Sequence, residues 1–104
     1  MTISVLTPDR KIFTGTVTRV TLPGTDGSFQ LLDNHAPLVS SLEAGRVELL
    51  TGPGTYQYYD NERETTAEDS TPNRSLTFNI ENGFVEVLNN EVNLLVQGAR
   101  NLRG

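Results

Sequence analysis

Apolar and polar residues alternate with a period of two through most of this chain. Because successive side chains of a β-strand point to opposite faces, the alternation predicts short strands that are buried on one face. The apolar pairs that carry the pattern in the first half are Ile3 and Val5, Val20 and Leu22, Phe29 and Leu31, and Val47 and Leu49. Several such strands, separated by turns at intervals of about eight to twelve residues, are typical of a β-sandwich or barrel.

The pattern is clearest in the last third of the chain. Leu76–Ile80 places its apolar residues on one face, and Asn82–Gly83 after it is the strongest dipeptide signal for a hairpin. A strand around Val85–Val87, a second reversal at Asn89–Asn90 and a final strand at Val92–Val96 follow. We therefore predict a three-stranded antiparallel meander in this region.

One stretch offers a helical alternative, because Leu38, Leu42 and the pair Leu49-Leu50 fit a helical stripe. Gly45 in its centre costs a helix about 1 kcal/mol relative to alanine, and the proline before the stretch weakens the alternative further. Strands are the better interpretation there too. The predicted fold class is therefore all-β.

Length and composition limit the classes of function. With 104 residues the chain is expected to form one domain, residues 1–104, and nine glycines and five prolines fit a β protein rich in turns. The formal charge of −5 disfavours nucleic acid and anionic lipid as primary partners. No signal peptide or apolar run of about 20 residues is present, so the sequence predicts a soluble, cytoplasmic protein.

The segment from Thr51 to Ser75 has no periodicity. It contains five acidic residues and one arginine between Asp60 and Asp69. We expect a polar, acidic insertion loop at about residues 51–75, in which Asn61–Asn73 is mobile and solvated. Before it, Tyr56, Tyr58 and Tyr59 are expected to extend a hairpin outward from the sheet.

His35 is the only histidine available as a catalytic base. Asp33 and Ser40 lie nearby in sequence, which leaves a small hydrolase as a remote alternative, but no Gly-x-Ser-x-Gly elbow exists. A single histidine and the absence of cysteine cannot supply a usual zinc site. The glycines do not precede helices, so no nucleotide site is predicted. We predict no catalytic residue, no metal site and no cofactor.

Two surface features point to binding instead. Leu32, Leu50 and Leu95 fall on the polar phase of alternating strands, which suggests a docking face. The three tyrosines of the 51–75 region could alternatively form an aromatic platform. A free-standing β-sandwich module that binds a small ligand or carbohydrate is therefore the alternative function.

Two sequence stretches resemble one known family. LPGTDGSFQLLDNHAPLVSSLEAGRVEL and GFVEVLNNEVNLLV are similar to the N-terminal domain of the epsilon subunit of the bacterial F-type ATP synthase, the equivalent of the mitochondrial delta subunit. The similarity runs from Ile3, through Ile12-Phe13-Thr14-Gly15, to about Gln97, with an interruption at Thr51–Ser75. The residues that carry it are Gly24, Gly27, His35-Ala36-Pro37-Leu38, Gly45 and Gly83-Phe84-Val85-Glu86-Val87.

The resemblance implies a flattened, ten-stranded antiparallel β-sandwich that serves as a non-catalytic part of the rotor. Such a part sits at the foot of the central stalk, where it couples the gamma subunit to the polar loops of the c-ring during proton- or sodium-driven ATP synthesis. Contact with the alpha and beta subunits is a further possibility. The implied location is peripheral, on the cytoplasmic side of the bacterial inner membrane, and contact with the membrane is made only through partners.

The resemblance also implies two contact regions. The residues expected to face gamma are Thr7, His35, Ala36, Pro37, Leu38 and Ser40. Those expected to meet the c-ring are Gly24, Thr25, Asp26, Gly27, Ser28 and Phe29. Ser28 is uncharged where the family often has an acid, and Asp26 is close enough to take that role.

Members of the family commonly continue as a C-terminal helical hairpin that can inhibit ATP hydrolysis. This sequence ends at Gly104, just after the last predicted strand. We therefore expect a fold without that hairpin and a subunit that lacks inhibition of the epsilon type.

Overall fold

The computed structural model of the chain describes residues 1–103, and only the backbone of Asn101 and Arg103; Gly104, the predicted end point, lies outside the described residues. Eleven strands account for most of the chain. They are β1 (Thr2–Leu6), β2 (Lys11–Gly24), β3 (Gly27–Leu32), β4 (Leu38–Leu42), β5 (Gly45–Thr51), β6 (Tyr56–Asp60), β7 (Thr65–Asp69), β8 (Ser75–Ile80), β9 (Asn82–Leu88), β10 (Glu91–Gln97) and β11 (Arg100–Arg103).

Strand β2 joins the two layers of the fold. Its N-terminal half pairs with β1 and β6, and its C-terminal half pairs with β3 and β5. We call the array β4-β9-β10-β1-β2-β6-β7 the first layer, and the array β3-β2-β5-β8-β11 the second layer. Fourteen extended residues would measure about 45 Å, longer than the longest axis of the molecule, 35 Å, so β2 must bend. The register shift between Val17 and Arg19 marks the bend.

The core lies between the layers. The alternating residues of the sequence pattern, such as Val5, Val20 and Leu49, are fully buried there. The largest buried side chains include Tyr56 and Phe13, whose rings stack with centroids 5.5 Å apart. The molecule is flattened, with extents of 35 × 27 × 19 Å.

The all-β class and the sandwich architecture are confirmed. The described chain contains no helix, including the Leu38–Leu50 stretch, and therefore no helix able to cross a membrane. Two details differ from the expected ten-stranded antiparallel sandwich. The structure has eleven strands, and β1 runs parallel to β10 because the N-terminal strand enters between β10 and β2.

The predicted three-stranded meander is wrong in one connection. Asn89 and Asn90 both have positive φ, 52° and 63°, and form the tight β9–β10 hairpin as predicted. Asn82–Gly83, however, lies inside β9, which pairs with β4 and β10, whereas β8 pairs with β5 and β11. The chain crosses between layers at Glu81. Gly83 is needed for close packing, since a Cβ there would lie 2.5 Å from the Leu95 carbonyl oxygen.

The predicted loop at residues 51–75 is also corrected. Most of it forms the β6–β7 hairpin, which pairs with β2 through Phe13–Tyr58 and Thr14–Gln57. The polar composition concealed the strands because only β6 contributes a fully buried side chain, Tyr56. The buried hydroxyl of Thr51 donates to the Thr71 carbonyl and accepts from the Arg74 amide, so the return of the segment is fastened to β5.

Candidate docking surface

The outer face of the first layer carries a continuous row of apolar side chains. Register pairs Leu6 with Leu95, Leu95 with Phe84, and Phe84 with Ser41, across β1, β10, β9 and β4. Because directly paired residues point to the same side of a sheet, three large apolar side chains lie next to one another on the outside. We call Leu6, Leu95 and Phe84 the apolar row.

Exposure makes this row unusual. Phe84 and Leu95 are 40% and 43% exposed, and on the same face Leu88 and Val39 are 53% and 65% exposed. A monomer has little reason to leave several large apolar side chains in water on one face, so the face has the character of a protein interface. The fifth exposed large apolar residue, Leu32, lies alone on the second layer.

The outer face of the second layer is polar by comparison. Register places Gln30, Thr21, Glu48 and Thr77 in one row, and Arg19 donates to Glu48 over 3.4 Å. Leu50 is only half-buried beside Arg19. The three leucines predicted to mark one docking face are therefore divided, with Leu95 on the first layer and Leu32 and Leu50 on the second.

The three residues of the apolar row line an apolar groove. Its volume is about 530 Å³, and its lining includes Leu6, Thr7, Pro8, Phe84 and Leu95. Thr7 is the one predicted gamma-facing residue in this lining. Its hydroxyl donates to the Arg10 carbonyl over 3.0 Å and accepts from the amides of Asp9 and Arg10, which fixes the turn after β1.

The other predicted gamma-facing residues lie in β4, the edge strand of the first layer, and in the segment before it. His35, Ala36 and Pro37 are exposed, while Leu38 and Ser40 are half-buried on the inward phase of β4. The outward positions of β4 are Val39 and Ser41. Thr7 follows β1, whereas His35 precedes β4, three strands away and toward the other end of the strands, so the two residues do not form one cluster.

The predicted c-ring residues form the tip of the β2–β3 hairpin. Thr25, Asp26, Gly27 and Ser28 are exposed, with Thr25 and Asp26 in the turn. Gly27 has φ 120°, which favours glycine. Gly24 and Phe29 instead have structural roles, because Gly24 is buried and a Cβ there would meet the Phe29 ring at 2.7 Å.

The contacts of His35, Asp33 and Ser40 do not support the hydrolase alternative. A ring nitrogen of His35, Nδ1, lies 2.8 Å from the Ala36 carbonyl and is the donor of that bond. Asp33 pairs with the Met1 ammonium group, and the Ser40 hydroxyl donates to the Ser41 carbonyl. None of the three contacts joins the histidine to the acid or the serine. Within residues 1–103, no three potential metal ligands come together either.

The predicted aromatic platform of Tyr56, Tyr58 and Tyr59 is not formed in the structure. Tyr56 is buried, and its hydroxyl donates to Asp69 over 3.2 Å. Arg74 lies over the Tyr58 ring at 5.3 Å and Arg10 over the Tyr59 ring at 4.3 Å, so an arginine covers one face of each of these half-buried rings.

Asp69, the last residue of β7, accepts several hydrogen bonds and forms an ion pair with Arg74. Hydrogen bonds from the Thr71 hydroxyl, the Ser70 amide and their neighbours lower the pKa of Asp69 to about 2. Arg74 also donates to this carboxylate over 2.8 Å. Burial raises the pKa of Tyr56 above its ordinary value. These contacts hold the segment after β7 against β6, while the pairing of β6 with β2 joins the hairpin to the first layer.

Most of the apolar face was not predicted from the sequence. The alternation pattern indicated Leu95 but not Leu6, Phe84, Leu88 or Val39. The signal was present in GFVEVL, where Phe84 and Leu88 occupy the phase opposite to the buried Val85 and Val87. Which of two apolar phases faces the core depends on packing, which alternation alone does not specify.

Comparison with known proteins supports one family. The model of the ATP synthase delta/epsilon chain β-sandwich domain matches residues 1–60. The ATP synthase epsilon chain of Chlorobium limicola is 36% identical over 95 residues, which cover 91% of this chain and 86% of that protein. The epsilon chain of Thermosynechococcus vestitus is 34% identical over 99 residues, which cover 95% of this chain but 57% of that protein. The chain thus spans little more than half the length of some relatives.

Solved structures share the fold. A chain of the Tetrahymena thermophila mitochondrial ATP synthase, from a structure of its central stalk and c-ring, gives a TM-score of 0.62 at 14% identity and covers 97% of this chain and 66% of that one. A chain of the Euglena gracilis mitochondrial ATP synthase gives 0.68 at 18% identity, covering 94% and 51%. By its sequence and its sandwich, this chain belongs to the ATP synthase delta/epsilon chain family.

Proposed function

We propose that this chain is a non-catalytic rotor subunit of an F-type ATP synthase, which links the gamma subunit to the c-ring. The observation that carries the proposal is the difference between the two outer faces. Four large apolar side chains are exposed on the first layer, and membership of the ATP synthase delta/epsilon chain family supports a subunit of that enzyme as the partner that covers them. The enzyme would hold the subunit against the membrane through these partners, on the cytoplasmic side.

Gamma is proposed to cover the apolar row. Burying Phe84, Leu95 and their neighbours removes apolar surface from water, at roughly 25 cal/mol for each Å². Large apolar anchors in the centre of an interface usually carry most of its binding energy. The proposed contact includes Thr7 in the groove and extends over Val39 to the exposed segment from His35 to Pro37.

The c-ring is proposed to meet the β2–β3 tip. Thr25, Asp26, Gly27 and Ser28 are exposed there, and Asp26 supplies the carboxylate that Ser28 lacks. Glu43 donates its amide to the Pro23 carbonyl over 2.8 Å, so the hairpin is fastened to the β4–β5 turn directly behind its tip. A partner bound at this tip would leave the apolar row free for gamma.

Binding to F1 from which the native subunit has been removed tests the proposal. The wild-type chain should bind, and Phe84→Glu should weaken binding by about a hundredfold or more, because it places a charge in the centre of an apolar contact. Thr77→Glu introduces the same charge on the second layer and should change binding less than about twofold.

Thermal unfolding of both variants provides the control for folding. Phe84 and Thr77 are both partly accessible, so each variant should remain folded. Wild-type chain that does not bind, or two variants that bind equally well, would refute the proposed gamma surface.

A further inference from the structure

A second cavity adjoins the apolar groove across Thr7 and Pro8. Its volume is about 500 Å³, and it lies between the Thr7–Arg10 turn and the β6–β7 hairpin. Thr7, Pro8 and Gln97 line both cavities, so a partner seated in the groove reaches the second cavity without leaving the surface. We call this second cavity the polar cleft.

Arg10 is held in place at the polar cleft. Its guanidinium carbon lies 4.3 Å from the centroid of the Tyr59 ring, which is an attractive cation–π distance. The backbone of Arg10 is fixed by the Thr7 turn, through bonds of 3.0 Å to its amide and its carbonyl. An ordered cation loses less side-chain entropy when a partner binds it.

The charge of Arg10 is unpaired among the described side chains. Asp60, Glu48, Asp69 and Glu81 are each paired with another arginine, and none contacts Arg10. The chain carries a net charge of −5, so a fixed cation beside an apolar groove is a distinctive feature of this surface. Its natural complement is a carboxylate.

The charged residues around the polar cleft limit which partner segments can bind there. Asp9 and Glu81 line it together with Arg10. Glu81 is occupied by Arg100 at 3.6 Å, but Asp9 is exposed and would repel a second acid. Only a segment that places one carboxylate near Arg10 gains from the site, which adds specificity to the apolar contact.

We propose that the docking site for gamma continues from the apolar groove into the polar cleft, where an acidic side chain of gamma pairs with Arg10. This inference rests on the proposed function. It assigns the β6–β7 hairpin a role at the interface, because Tyr59 of the hairpin positions the arginine. Tyr59 is therefore a positioning residue, and Arg10 makes the contact.

Affinity for F1 depleted of the native subunit, measured at low and high salt, tests the inference. Arg10→Gln should weaken binding about tenfold at low salt and flatten its salt dependence, as expected for a charge at an interface rim. Tyr59→Leu should weaken it about threefold, whereas Tyr59→Phe, which keeps the ring, should bind as wild type does. Lys11→Gln removes the neighbouring charge, which does not line the cleft, and should have an effect of less than about twofold.

The outcomes separate the two proposals. If wild type binds and Phe84→Glu does not, but Arg10→Gln binds like Lys11→Gln, the inference is overturned and the proposed function stands. If wild type itself fails to bind, the proposed function falls and the inference falls with it. A Tyr59→Phe variant as weak as Tyr59→Leu would contradict the positioning role.

Discussion

The two outer faces of the sandwich are built from the same strand pattern but differ in chemistry. On the second layer the outward positions of β2, β5 and β8 are mainly polar, as in an ordinary half-exposed sheet. On the first layer the outward positions of β1, β9 and β10 include the apolar row. This difference in exposed side chains is the ground for proposing that the first layer binds a partner, since the inner faces of both layers are apolar alike.

The face of the first layer also depends on close backbone packing. A Cβ at Gly83 would lie 2.5 Å from the Leu95 carbonyl oxygen and 3.0 Å from the Val96 Cα. Both of these atoms belong to the backbone, so neither can move aside by rotation of a side chain. The spacing between β9 and β10, and hence between Phe84 and Leu95, therefore relies on a glycine.

The largest effect on stability is expected from Gly83→Ala. We expect it to lower the free energy of unfolding by roughly 1–3 kcal/mol, because the added methyl group overpacks the β9–β10 contact. Urea denaturation provides the measurement. Ser41→Ala, at an exposed position of the same row, is the control and should change it by less than about 0.5 kcal/mol. A Gly83→Ala protein as stable as wild type would show that the first layer does not depend on close backbone packing at this position.

A smaller effect is expected from Asp69→Asn, which tests whether the β6–β7 hairpin is a fixed part of the first layer. The folded-state pKa of Asp69 is lowered to about 2, below its unfolded value of 3.8. Its contribution to stability is therefore fully present above about pH 4 and is lost as the pH falls toward 2.

The measurement for Asp69 is the melting temperature of wild type and variant between pH 7 and pH 2. The two should differ at pH 7 and converge at the acid end. Asp26→Asn removes a charge from an exposed turn and should leave the melting temperature unchanged. A constant difference between wild type and Asp69→Asn across this range would exclude the carboxylate as its cause.

The smallest effect is expected on the second layer, from Glu48→Gln. The Arg19–Glu48 pair is partly exposed, with side-chain exposures of 37% and 32%, and spans 3.4 Å. Such pairs contribute about 0–1 kcal/mol, and salt reduces their contribution. Urea denaturation at low and high salt should show a loss within that range, smaller at high salt. A loss above 2 kcal/mol would mean that the polar face is also a structural element.

The sequence was sufficient for the class of the fold and for most of its strands. Alternation identified the buried side of β1, β5 and β8 because, apart from Leu6 and Leu50, the other side of these strands carries small or polar residues. It failed at Asn82–Gly83, where a dipeptide typical of turns serves the packing of a strand. It failed again at β7, whose exposed and polar residues give no periodic signal.

The candidate docking surface was less accessible from the sequence. Family resemblance placed Thr7 and His35 in one interface, but in the structure Thr7 follows β1 and His35 precedes β4, three strands away and toward the other end of the strands. The apolar row cannot be found from any single strand, because Leu95 meets Phe84 through the β9–β10 hairpin and Leu6 meets Leu95 only through the parallel pairing of β1 and β10. Pairings between residues so distant in sequence are set by the whole fold.

Strand β2 has a mechanical consequence. One unbroken backbone runs from the β1 ladder at Lys11 to the β2–β3 tip at Gly24, and other strands brace it along both edges. Stretching such a strand strains covalent bonds, and sliding it would break ladders in both layers at once. A force applied at the β2–β3 tip would therefore be transmitted along β2 to the first layer with little deformation of the strand.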